Sequence, residues 1–261
     1  MKYFDVHSHF NLSQFDADRD QVIEQMEEAG VGTICVGTSL ETSKLAIEIT
    51  EKSNNIWACV GQHPTDTKDD FFADEFRSLL KHPKVVAIGE CGLDYYRNGS
   101  DEIKAFERNL FMEQITLAIE IGKPLMIHAR PSQGSMDAYM DVIAMLKAQA
   151  EHIHPHFHFY VGDLVVTKAA LDIGATFSFD GPITFARDYD EVISYLPLEA
   201  IMAETDAPYA APAPYRGQRN LPQYVRGIVA KLAQIRGISE EEMRVATLAN
   251  TKRVFGIPLI D

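Results

Sequence analysis

Between residues 4 and 203 short apolar runs alternate with longer stretches of helical periodicity, and this rhythm restricts the chain to folds built from parallel strands. A strand that is followed by a helix and then by another strand re-enters the sheet from the same end, so the two strands pair in parallel. After a first run that ends at His7-Ser8-His9, residues 33–36, 56–60, 85–88, 124–127, 156–160, 176–179 and 200–203 read as strands. Between them, residues 16–29, 45–49, 71–80, 103–121, 136–150, 164–173 and 189–196 read as helical, with Gly30, Gly122 and Gly174 as stops. A Pro-rich loop over 207–222 then leads into helices predicted at 223–236 and 240–255, the latter with Ser239 as its N-cap. Eight β/α repeats with short connections and no linker predict a single (β/α)8 TIM barrel over residues 1–261. A doubly wound sheet is the alternative, but it calls for a Gly-rich phosphate turn after the first strand, and His-Ser-His stands there instead.

The bulk numbers narrow the function. The 24 Lys and Arg against 38 Asp and Glu give a net charge of −14, which argues against holding duplex DNA by broad phosphate neutralisation. Such a protein handles nucleic acid where bound cations and a few arginines reverse the field locally. No apolar run approaches the roughly 20 residues of a membrane span, and no membrane partner is expected. Cys35, Cys59 and Cys91 lie in or beside apolar runs without Cys-x-x-Cys spacing, so buried thiols and a cytoplasmic location are expected.

The C-terminal ends of barrel strands build the active face. There the first strand ends in His7 and His9, whose spacing of two puts both imidazoles on one side of a strand. The third runs into His63, the fourth into Glu90, the fifth into His128, the sixth into His158 and the eighth into Glu204 and Asp206. All are metal-ligand or acid/base types, and their convergence predicts a dinuclear centre in which a carboxylate bridges two cations. His156 lies on the same strand face as His158 and is the alternative sixth-strand ligand, while His152 and His154 are expected in a solvated loop.

Several segments carry a family resemblance. They are His7-Ser8-His9, Gly61-Gln62-His63-Pro64, Gly89-Glu90-Cys91-Gly92-Leu93-Asp94-Tyr95-Tyr96, Ile127-His128-Ala129-Arg130, Gly181-Pro182-Ile183-Thr184-Phe185, Glu204-Thr205-Asp206-Ala207-Pro208-Tyr209 and Pro214-Tyr215-Arg216-Gly217-Gln218-Arg219-Asn220. In order and spacing this set resembles the TatD-related deoxyribonucleases of the amidohydrolase superfamily. The resemblance implies a (β/α)8 barrel, two divalent cations (Mg or Mn for activity, Zn possible) and metal-dependent phosphodiester cleavage, usually from a DNA 3′ end. It implies that His7, His9, Glu90 and Asp206 hold one cation and that Glu90, His128 and His158 hold the other. The chain departs from the family pattern at His158-Phe159-Tyr160-Val161-Gly162 and at Arg130-Pro131-Ser132-Gln133-Gly134-Ser135, a loop at the mouth.

The chemistry follows from these residue types. Two cations about 3.5 to 4 Å apart ease water activation, phosphate orientation and charge neutralisation. Asp206 is the expected proton acceptor for the attacking water, with Glu90 as its bridging catalytic partner, and Glu204 is expected to orient a ligating histidine. His63, Arg130, Arg216 and Arg219 are the expected substrate-binding residues, since guanidinium forks suit phosphate oxygens. Tyr95 and Tyr96 offer rings to a terminal base. The partner expected is DNA, single-stranded at its 3′ end. The alternative is hydrolysis of an ester, lactone or amide, including aminoacyl-tRNA deacylation, on the same barrel.

Overall fold

The computed structural model describes residues 1–66, 71–97 and 99–258. Its strands are β1 (Tyr3–Ser8), β2 (Val31–Val36), β3 (Ile56–Val60), β4 (Val85–Asp94), β5 (Leu125–Arg130), β6 (Pro155–Phe157), β7 (Thr176–Phe179) and β8 (Ile201–Ala203). They form one eight-stranded sheet in chain order, every neighbouring pair parallel. The helices are α1 (Arg19–Glu28), α2 (Leu40–Thr50), α3 (Ala73–Leu79), α4 (Asp101–Ile121), α5 (Asp137–Lys147), α6 (Leu164–Leu171), α7 (Asp190–Tyr195), α8 (Val225–Arg236) and α9 (Glu240–Phe255). This is the (β/α)8 barrel that the alternation predicts. The predicted N-cap holds: Ser239 Oγ accepts the Glu242 N–H at 3.1 Å. Gly122 ends α4 in the left-handed conformation.

The ring closes just beyond β8. Ser8 forms an isolated parallel bridge with Ala207, the Asp206 N–H donates to the His7 carbonyl at 2.9 Å, and the His9 N–H donates to the Ala207 carbonyl at 2.6 Å. A buried carboxylate fastens the seam from below. Asp5 Oδ1 accepts the Thr205 N–H at 2.8 Å and the His7 N–H at 3.3 Å, and Oδ2 accepts the hydroxyls of Thr205 at 2.6 Å and Thr33 at 3.4 Å.

Two apolar clusters divide the core. Phe4, Val6, Ile34, Val36, Trp57, Cys59, Met126 and Met202 fill the barrel interior, stoppered by Val254 and Phe255 at the end of α9 and by Ile257 beyond it. The larger cluster lies between the strands and the helices. Cys35, Cys59 and Cys91 are free and buried, as expected.

Two strand irregularities set the active face. Between Asp5 and Ser8, β1 advances one residue further than β2, which changes the side chains turned inward: Val6 joins the apolar interior, while His7 and His9 reach the mouth. A matching shift lies in β4 between Ile88 and Cys91 and brackets Glu90. Gly61 permits the close approach there, since a Cβ on it would sit 2.7 Å from the Gly89 backbone.

Asp5→Ala would leave the Thr205 and His7 amides and two hydroxyls buried without their acceptor. It is expected to cost about 2 to 4 kcal/mol in urea unfolding, and Asp5→Asn less, because one acceptor oxygen survives. A loss below about 0.5 kcal/mol for the alanine variant would remove Asp5 from its role at the seam.

Candidate metal centre

The centre is organised on Glu90, 3 % exposed and within β4. Its two oxygens face different partners. Oε2 lies 3.2 Å from His9 Nε2 and 3.6 Å from His7 Nε2. Oε1 lies 2.9 Å from His128 Nδ1, 2.9 Å from His158 Nε2 and 3.3 Å from His63 Nε2. Burial opposes a charge on this carboxyl, but the imidazoles of His158, His63 and His128 hold it well below the usual range.

Asp206 completes the β1 side, with Oδ1 3.4 Å from His9 Nε2 and 3.7 Å from His7 Nε2. Its backbone is left-handed at φ 53°, a conformation that aspartate tolerates better than most residues and that the seam hydrogen bonds hold. His7 Nε2 and His9 Nε2 lie 3.0 Å apart, nitrogen to nitrogen. Donors arranged around a cation at about 2.1 Å stand about 3.0 to 3.4 Å from one another, as edges of an octahedron or tetrahedron. The separations of 3.0 Å from His7 to His9, 3.2 Å from His9 to Glu90 and 3.4 Å from His9 to Asp206 fall on those edges, while those of 3.6 and 3.7 Å from His7 to Glu90 and Asp206 lie just outside them. Among the described residues, three groups bring ligand-type atoms within 4.8 Å of one another: His7, His158 and Asp206; His7, His9 and Glu90; and His63, Glu90 and His128.

Hydrogen bonds on the outer ring nitrogens orient several of these imidazoles. His9 Nδ1 is 3.0 Å from the Val36 carbonyl, so it carries the proton and turns Nε2 inward. His128 Nε2 is 3.1 Å from Asp94 Oδ2, which directs Nδ1 at Glu90. His158 Nδ1 lies 3.5 Å from Glu204 Oε1, while Glu204 also accepts the Phe159 N–H at 2.7 Å and hydrogen-bonds Ser178 Oγ. Glu204 is thus buried where it can orient His158. His63 differs. Its Nδ1 accepts the Thr65 N–H at 3.1 Å, so the neutral ring keeps its proton on Nε2 and offers the centre a donor instead of a lone pair.

His158 lies beside Glu90, whereas His156, one layer deeper, hydrogen-bonds Thr176 and Ser178 at 2.9 Å each and packs on Phe255. Burial holds His156 well below its usual pKa. His154 is not in a solvated loop: it is half-buried against Thr176, and burial lowers it to about 4. Tyr95 offers no free ring, being 2 % exposed with its hydroxyl donated to Asp141. Tyr96 is 54 % exposed and carries the Arg130 guanidinium 4.1 Å above its ring.

A cavity of about 860 Å³ opens over the centre, with His63, Arg97, Arg130, Phe159 and Tyr209 among its walls. Arg216 and Arg219 are absent from that lining. Arg219 instead pairs with Asp18, at 2.9 Å and 2.5 Å, and stacks on Phe15, while Arg216 stacks on the exposed Phe185 ring. Four buried or lining residues escaped the reading of the sequence: Asp5, Asp94, Arg97 and Asp180. For Asp94 a signal existed, because it stands two and four residues after Gly92 and Glu90 and so shares their strand face.

Burial opposes protonation of His9, but its hydrogen bonds to Asp206 and Glu90 prevail and push it up to about 10. A divalent cation taken up between these groups at pH 7 must displace that proton. Calorimetry of the metal-free protein in buffers of different ionisation enthalpy is expected to show release of about one proton or more, with apparent affinity rising roughly tenfold per pH unit for each proton displaced, until the pH passes about 10. Uptake with no buffer dependence would contradict this.

The sequence profile of the family described as "TatD related DNase" matches residues 4–256. A metal-dependent hydrolase of Bacillus subtilis, YabD, recorded as uncharacterized, is 36 % identical over 260 residues, covering 97 % of this chain and 99 % of that protein. The 3′-5′ ssDNA/RNA exonuclease TatD of Klebsiella pneumoniae is 32 % identical over 265 residues, covering 97 % and 98 %. Among solved structures, the TatD homologue YJJV of Escherichia coli superposes with a TM-score of 0.89 at 26 % identity, covering 98 % of this chain and 99 % of that one.

Proposed function

The chain belongs to the TatD-related DNase family, and from that premise we propose that it is a metal-dependent hydrolase that removes nucleotides from the 3′ end of single-stranded DNA at a dinuclear centre. The observation that carries this reading is the division of Glu90, one oxygen toward His7 and His9 and the other toward His128 and His158. That division suits a carboxylate shared by two cations, His7, His9 and Asp206 completing one set and His128 and His158 the other. Magnesium or manganese fits the mixed nitrogen and oxygen donors, and zinc would bind as well. The bound cations supply Lewis acidity toward the phosphate and a nucleophile from water at neutral pH.

The protein's own groups do the rest. Asp206, at the edge of the centre, takes the proton from the attacking water. The His63 Nε2–H, turned inward by Thr65, and the Arg130 guanidinium donate to phosphate oxygens. Glu204 and Asp94 keep His158 and His128 in their orientations. Arg219, bound to Asp18, holds the loop over 215–220 against the segment before α1, and Arg216 belongs to the outer rim. The cavity of about 860 Å³ suits one strand end better than a duplex groove, and the acidic protein restricts attraction for phosphate to the mouth. Among the described residues no helix is long and apolar enough to cross a membrane.

A 5′-labelled single strand incubated with the protein and Mg²⁺ or Mn²⁺ is expected to shorten in single-nucleotide steps. Glu90→Gln and Asp206→Asn are each expected to lower kcat by about 10³-fold or more. An intact strand under both metals, together with rapid turnover of carboxylic esters or aminoacyl-tRNA, would replace this reading by the ester-hydrolase alternative.

A further inference from the structure

Arg97 stands three residues beyond the end of β4 and lines the cavity, with its side chain 54 % exposed. It is nonetheless held in place. Its backbone N–H donates to Asp94 Oδ1 at 3.1 Å, its Nε lies 3.6 Å from Asp94 Oδ2, and its Nη1 donates to Thr65 Oγ1 at 3.4 Å. Asp94 is fully buried and is fixed in turn, its own N–H donating to Glu107 Oε2 of α4 at 2.8 Å. The same Asp94 Oδ2 faces His128 Nε2 at 3.1 Å, so this one oxygen serves both an imidazole and a guanidinium. Among the described residues, the side-chain contacts of Arg97 engage Nε and Nη1 and leave the rest of a five-donor fork for a ligand in the cavity.

The neighbours of Arg97 indicate the ligand. His63, with its Nε2–H turned inward, follows β3, Arg97 follows β4, and Arg130 ends β5. In the ladder Asp94 pairs with Arg130, and the Tyr95 N–H donates to the Arg130 carbonyl at 2.8 Å. Three consecutive strand ends therefore present donors along one wall, on a protein of net charge −14. Such a wall fits the anionic backbone of a strand whose end lies over Glu90.

We propose that Arg97 is a substrate-binding residue that grips a phosphate oxygen of the incoming strand, with Asp94 as the residue that positions it. The proposal rests on the hydrolytic reading above and adds to it a specific contact. Asp94 sets the direction of the fork, while the exposed fork supplies the bidentate donation that a phosphate accepts. The contact belongs to a linkage near the 3′ end other than the one being cleaved, because His63 and the residues that would hold the cations would surround the latter.

The test uses 5′-labelled single strands in which each phosphate near the 3′ end is replaced in turn by a neutral methylphosphonate, presented to the metal-loaded wild type, Arg97→Ala and Arg97→Lys. In the wild type, one uncleaved linkage is expected to stand out, its neutralisation raising KM about 10- to 100-fold. Arg97→Ala is expected to raise KM for the unmodified strand by a similar factor with kcat nearly unchanged, and to lose its sensitivity at that linkage alone. Arg97→Lys should fall between them. Fluorescence anisotropy of the same strands with metal-free protein reads the same pattern without turnover. An alanine variant as sensitive as the wild type at every linkage overturns the proposal. So does one that loses bound metal by elemental analysis while kcat falls and KM holds, which would make Arg97 a support for His128. If the wild type cleaves no strand, the hydrolytic reading fails, and the anisotropy pattern alone decides whether Arg97 meets phosphate.

Discussion

Closure of the barrel at the β1–β8 seam is the constraint on which the rest of the structure depends. The pairing there is made by the backbones of His7, Ser8, His9, Asp206 and Ala207 themselves, so joining the ends of the sheet and assembling the β1 side of the centre are one event. Asp5, 200 residues from Thr205 in sequence, fastens this junction with a buried carboxylate that accepts from both sides of the seam. A parallel barrel places the C-terminal ends of all its strands on one face, which is why side chains from β1, β3, β4, β5 and β6 and from the residues after β8 meet around one point.

At that point the electrostatics oppose burial. Glu90 and Asp206 are nearly excluded from water, and the imidazoles around Glu90 offset the cost of burying its charge. His9 and His158 answer by holding protons more tightly than usual, against the cost of burial, while His7 and His63 are driven the other way. Imidazoles of opposed proton affinity, two with ring nitrogens 3.0 Å apart, stand among these carboxylates as donor atoms that a divalent cation could take up in place of the protons. The cavity wall that carries His63, Arg97 and Arg130 presents positive or donor groups on an otherwise acidic protein.

Much of this is legible in the chain without coordinates. The alternation of apolar runs and helical stretches determines the barrel, because consecutive strands with intervening helices have few other ways to bury both faces of a sheet. The residue types after each run, His7, His9, His63, Glu90, His128, His158 and Asp206, determine that the mouth gathers side chains able to hold a metal, since strand ends share one face. Tertiary structure decided the remainder. The one-residue shifts in β1 and β4 turn His7, His9 and Glu90 to the mouth, and they depend on register with a neighbouring strand, which local periodicity does not encode. His156 and His158 share a strand face, so only depth in the barrel separates the one bonded to Ser178 from the one beside Glu90. The proton position on His63 follows from the Thr65 amide, and the placement of Arg97 and Arg219 from which carboxylate each meets, Asp94 at the cavity or Asp18 outside it. These are contacts between side chains and a folded backbone, and they come into being only when the ring is closed.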